Sequence, residues 1–167
     1  MNKFFVWVLF TATLLIDGIL LPAVFQISET LLTLVFLTTF LVAYGEKFWV
    51  LVSGVIFCVI AELTFGLHLG LLVGSWLVIC LLWHGVIQTF SLKPFREEGI
   101  SSVAVHTIVS LLLLGIWITL YAYLAALLFS SSIWLSQILT IKLVGYYIVA
   151  TVVYLLLLHG KRISSQY

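Results

Sequence analysis

Six mostly apolar stretches, each about long enough to cross a bilayer as a helix, take up nearly the whole chain. Such a helix needs roughly 20 apolar residues, with about 17–25 tolerated. The first runs from Phe4 to Leu21 and is stopped by Pro22, which cannot continue it cleanly. Ile27 to Tyr44 follows and ends at Gly45-Glu46-Lys47. Phe48 to Phe65 and Leu67 to Phe90 are separated by Gly66 alone, and Val103 to Phe129 and Ile138 to His159 complete the series. The longest polar interruption, Ser91 to Ser102, leaves no room for a domain outside the membrane.

Composition agrees with this layout. Hydrophobic residues make up 64% of the 167 positions, charged residues 8%, and mean hydropathy is +1.32. A soluble domain carries about a quarter charged residues, so a soluble or disordered chain is excluded. The basic footprint of a nucleic-acid binder is also missing. Cys58 and Cys80 lie inside apolar runs, which argues against a disulfide framework and against metal ligation. The expectation is an all-α integral membrane protein, a single domain of six transmembrane helices in a compact bundle.

Cations set the orientation. With the N-terminus in the cytoplasm, Lys3, Lys47, Lys93, Arg96, Lys161 and Arg162 all fall on the inner side. The loops left outside, near Pro22–Gln26, Gly66 and Ser130–Gln137, hold no Lys or Arg. That asymmetry follows the positive-inside rule, and both termini are expected in the cytoplasm. The start of the chain resembles a signal peptide, but no small-x-small cleavage site follows and Asp17 interrupts the apolar run, so a retained first helix is expected.

Three ionisable residues stand inside spans: Asp17 in the first, Glu62 in the third and Lys142 in the sixth. Each costs roughly 2.5–3.5 kcal/mol at mid-bilayer on an insertion scale, so a partner or a use is expected. Asp17 and Lys142 lie four residues from an outer helix end and Glu62 four residues before the break at Gly66, about 6 Å below the outer boundary at 1.5 Å per residue. Two carboxylates and an ammonium at one depth could neutralise one another, with His68 alongside. Against that, Lys142 could snorkel to the surface and either carboxyl could stay protonated. A cluster could serve helix packing or a ligand.

Gly54, Cys58, Glu62, Gly66, Gly70 and Gly74 recur at a spacing of four. Small residues at that spacing let a second backbone approach one helical face. Packing of the third helix on the fourth is the preferred reading, and a partner-binding face the other. The stretch Lys93-Pro94-Phe95-Arg96-Glu97-Glu98-Gly99 is the one concentration of charge; a solvated turn that anchors topology is the preferred reading, and contact with anionic lipid or a cytoplasmic partner the other. His84 and His106 flank it without a third metal ligand. Esterase, zinc-protease and phosphate-loop motifs are absent. The chain is therefore expected to be non-catalytic, with no cofactor and no metal.

From Gly54 to Gly70 the sequence GVIFCVIAELTFGLHLG resembles the signature of the MreD family of rod shape-determining membrane proteins. In that family a small-residue row leads to an aspartate followed by glycines at plus four and plus eight. Here Glu62 takes the acidic place, Gly66 and Gly70 the glycines and Gly54 the upstream glycine, while Cys58 stands where another glycine is common. Length, six spans and short loops are similar too. The resemblance implies a non-catalytic protein of the bacterial inner membrane. It would bind the single-span partner MreC and support cell elongation and peptidoglycan synthesis together with RodA and its penicillin-binding protein.

The family is similar in fold to the substrate-binding subunits of energy-coupling factor vitamin transporters, which supply the alternative. A pocket in such a protein would lie at the level of Asp17, Glu62 and Lys142. The alanine pair that docks the coupling subunit is missing, since Ala12 is followed at plus four by Ile16, and the outer loops are short.

Overall fold

In the segment Leu31–Tyr44, every side chain from 32 to 42 is buried, threonines and large apolar groups alike. A helix apolar all round belongs in the middle of a bundle, and this one is surrounded by the rest of the computed structural model. The structure describes residues 3–20, 31–45, 47–89, 100–129 and 147–157. They form six helices and, among the described residues, no strand. These are α1 (Lys3–Leu15, continued by a π-helical turn over Ile16–Leu20), α2 (Leu31–Tyr44), α3 (Phe48–Phe65), α4 (Leu71–Thr89), α5 (Ile100–Phe129) and α6 (Tyr147–Leu157).

Three helices carry segments long and apolar enough to cross a membrane: Phe48–Phe65, Leu71–Gln88 and Ala104–Leu128. α2 and α6 are shorter and apolar. Large apolar side chains such as Leu63, Leu81, Leu112 and Leu127 face outward. Water would expel such a surface, whereas lipid solvates it. The chain is membrane-embedded.

α2 packs against α1, α3 and α5, while α4 joins α3 to α5. Aromatic pairs run through the contacts. Phe10 stacks on Phe57 at 4.1 Å, and Trp7 meets the same ring edge-on at 4.6 Å, which ties α1 to α3. Phe36 of α2 receives Tyr154 of α6 edge-on at 5.5 Å, and Phe40 receives Trp49 at 5.4 Å. Each such pair adds about 0.5–1.5 kcal/mol beyond the area it covers. That matters in lipid, where burying apolar surface gives helices little drive to associate.

Several polar groups within the bundle are paired, within a helix or between helices. Thr38 and Thr39 donate to Leu34 and Val35 carbonyls of their own helix, each at 2.9 Å. Trp117 Nε1 donates to Ser75 Oγ at 2.7 Å, and Ser75 donates onward to the Leu72 carbonyl at 2.9 Å, linking α5 to α4. Thr13 and Tyr154 hydroxyls lie 2.8 Å apart and link α1 to α6.

The helix bounds differ from the expected spans where turns take up residues. α4 begins at Leu71 rather than 67, because residues 66–70 form the turn after α3. α5 begins at Ile100 rather than 103 and reaches about 45 Å at 1.5 Å per residue.

Candidate functional site

The small-residue row separates into different tasks. A Cβ on Gly54 would fall inside the Trp76 indole, so glycine there seats α4 on α3. Cys58 is fully buried. Gly66 and Gly70 lie in the turn with φ of +63° and +87°, in the left-handed region that glycine enters without strain. Gly74 has open space where a Cβ would stand. Internal packing of α3 on α4 is seen at Gly54.

Glu62 is 1% exposed and lies one turn before the end of α3. Its backbone carbonyl accepts the Gly66 N–H and, at 2.9 Å, that of Leu67, closing α3 in a left-handed cap. Its carboxylate reaches across the turn to α4. Oε1 accepts from Leu72 N at 2.6 Å and Val73 N at 3.2 Å, while Oε2 accepts from Gly70 N at 2.9 Å. Leu72 and Val73 are the second and third residues of α4, whose amides a capping side chain ordinarily satisfies. Gly70, at the cap position, has no side chain to do so. One residue thus ends α3 with its carbonyl and starts α4 with its carboxylate.

Asp17 repeats this arrangement. It is 2% exposed, and the π-helical turn carries it to the start of α2. Oδ1 accepts from Leu32 N at 3.3 Å, and Oδ2 accepts from Thr33 N at 2.9 Å and Thr33 Oγ1 at 2.7 Å. Leu32 and Thr33 are again the second and third residues of the following helix. Gly18 adjoins Phe65, its would-be Cβ 3.4 Å from the ring, so the ends of α1 and α3 meet. Both carboxylates therefore occupy one end of the bundle.

Of the four residues expected to cluster, the structure places Asp17 and Glu62 at that shared end, each on backbone donors of the following helix. His68 is exposed in the turn after α3. Lys142 lies outside the described residues, as do residues 90–99 with their charged stretch. His84 is exposed and lies 2.8 Å from Gln88 Nε2, whereas His106 is buried. No group of three metal-ligating side chains occurs among the described residues.

The opposite end carries cations. Lys3 Nζ stands 5.9 Å over the Trp49 ring and Lys47 Nζ 5.9 Å from the Tyr44 ring. Chemically, the acidic end is a pair of helix joints: carboxyl acceptors set on amide donors that lipid could not solvate. The Ser75–Trp117 and Thr13–Tyr154 links were not singled out from sequence, because hydroxyls and indoles scattered through apolar runs carry no periodic signal. Nothing similar among known proteins adds to this geometry: no family model, curated protein or solved structure matches the chain.

Proposed function

We propose that this protein is a non-catalytic, multi-pass component of the bacterial cytoplasmic membrane that serves the cell-elongation machinery. In this reading it binds a single-span MreC-like partner and supports peptidoglycan synthesis by RodA and its penicillin-binding protein. The chain crosses the membrane six times with both termini in the cytoplasm. One observation carries the reading. In the stretch that resembles the MreD signature, the acid is spent on the Gly70, Leu72 and Val73 amides, and the two glycines at plus four and plus eight shape the turn. A carboxylate so occupied supports a building role over handling of a substrate.

The orientation is supported by the grouping of Lys3 and Lys47 at one end and both buried carboxylates at the other. The transporter alternative would use the Asp17–Glu62 level as a ligand pocket, where these oxygens already accept described donors. Affinity capture from native bacterial membranes tests the proposal. Recovery of a single-span protein with a large extracytoplasmic domain is the expected result. Recovery of an ATPase module, or retention of a vitamin through purification, would refute it. Reporter tags on both termini should be read out in the cytoplasm.

A further inference from the structure

The same dipeptide stands at the start of two helices: Lys3-Phe4 opens α1, and Lys47, the cap residue, precedes Phe48 of α3. Both lysines are exposed, and Phe4 and Phe48 are 71% and 79% exposed. Each ammonium stands over an aromatic ring of the α2–α3 junction, Lys3 over Trp49 and Lys47 by Tyr44. Those two rings lie 6.5 Å apart between centroids. A cation held at a ring face still has N–H donors to turn outward. This end of the bundle therefore presents two fixed cations, each with an outward apolar ring as its neighbour in sequence.

We propose that this end binds an anionic phospholipid, with the headgroup phosphate against Lys3 and Lys47 and the acyl chains along Phe4 and Phe48. Charge complementarity selects the headgroup. The two exposed phenylalanines, on a bundle whose outer surface lipid covers, select a lipid over a free anion, which would leave them bare. A basic residue near a membrane surface contributes about fivefold to the binding of anionic lipid, so the pair should contribute about 25-fold. The inference does not depend on the partner reading above, and a detergent assay of the isolated protein is blind to both partner and orientation.

The test uses the full chain in neutral detergent, titrated with phosphatidylglycerol or phosphatidylcholine and followed by native mass spectrometry and melting temperature. Phosphatidylglycerol is expected to remain bound and raise the melting temperature, and phosphatidylcholine to do neither. Lys3→Gln with Lys47→Gln should weaken phosphatidylglycerol binding about 25-fold. Lys3→Arg with Lys47→Arg should retain it, which also shows that the fold tolerates change at these positions. Equal binding of the two lipids, or an unchanged Gln double variant, would overturn the proposal. So would an equal loss in Lys93→Gln with Arg96→Gln, since binding would then follow net charge rather than this pair. Full competition by inorganic phosphate would assign the site to a free anion and overturn the lipid assignment.

Discussion

Replacing Glu62 by glutamine changes one oxygen into an NH2 group and removes the charge, with almost no change in shape. In either orientation of the amide, an N–H2 donor then faces a backbone donor, Gly70 N on one side or Leu72 N and Val73 N on the other. A hydrogen bond to a charged group is worth about 1.5–3 kcal/mol. The lost anion at a helix start adds up to about 2 kcal/mol in partly buried geometry. The expected loss is about 2–4 kcal/mol. Glu62→Ala would strip the acceptor from all three amides at about 1–3 kcal/mol each, which approaches the whole stability of a typical domain. Cys58, fully buried one turn earlier on the same face, gives a local readout. In a Cys80→Ser background, maleimide labelling of Cys58 follows how often this region opens. A loss of 2–4 kcal/mol should raise the labelling rate about 30- to 1,000-fold. Leu63→Ala, at a position 66% exposed, serves as the control and should label like the parent. A folded Glu62→Gln protein that labels within about threefold of the parent would refute the capping argument.

Three further outcomes are expected. Asp17→Lys should lower the yield of folded protein, and adding Lys142→Asp should not restore it, because an ammonium cannot accept from the Leu32 and Thr33 amides; recovery in the double exchange, followed by gel filtration, would establish an acid–base pair instead. Ser75→Ala deprives the buried Trp117 Nε1 of its acceptor and should cost about 1–3 kcal/mol, seen as a lower unfolding midpoint with altered tryptophan emission. Gly54→Ala, with its methyl inside the Trp76 ring, should lose about 1–3 kcal/mol on titration with a denaturing detergent. Gly74→Ala, whose methyl meets open space, should be neutral or stabilising by up to about 1 kcal/mol, and the reverse order would refute the assigned packing.

Helices were legible because a 20-residue apolar run has few other ways to satisfy its backbone in lipid. Phe48–Phe65 has the same limits in sequence and structure. Which helix stands in the middle was not legible, since in a membrane both core and surface are apolar. Leu31–Tyr44 and Phe48–Phe65 read alike, yet the first is buried nearly throughout and the second exposes Val52, Ile56, Val59 and Leu63. Asp17 and Glu62 were legible as costly residues at a common depth, and the structure does put them at one end. Their partners were not, because charge counting searches for side chains and every helix start looks alike to it. The usable sign was the spacing Glu62, Gly66, Gly70. A glycine four residues on can close α3, and a glycine eight residues on opens α4 without a cap of its own.

The positions of these charges make sense only across pairs of helices. A helix favours anions at its start and cations at its end. α1 and α3 are charged the opposite way, with Lys3 and Lys47 at their starts and Asp17 and Glu62 close to their ends. Judged singly, each helix is mispolarised. Judged with its successor, each carboxylate sits where the next helix has orphan amides at its second and third residues, a site that hydrocarbon would leave unsatisfied. The unit of construction is therefore the helix pair, α1 with α2 and α3 with α4, built twice on one plan. The second pair adds the glycine turn, whereas the first relies on a π-helical turn to bring Asp17 round to α2. It follows that a defect at either acid should reach any partner indirectly, by loosening a pair, so partner binding and Cys58 protection should fall together in Glu62→Gln. Loss of binding with Cys58 still protected would mean that Glu62 itself meets the partner.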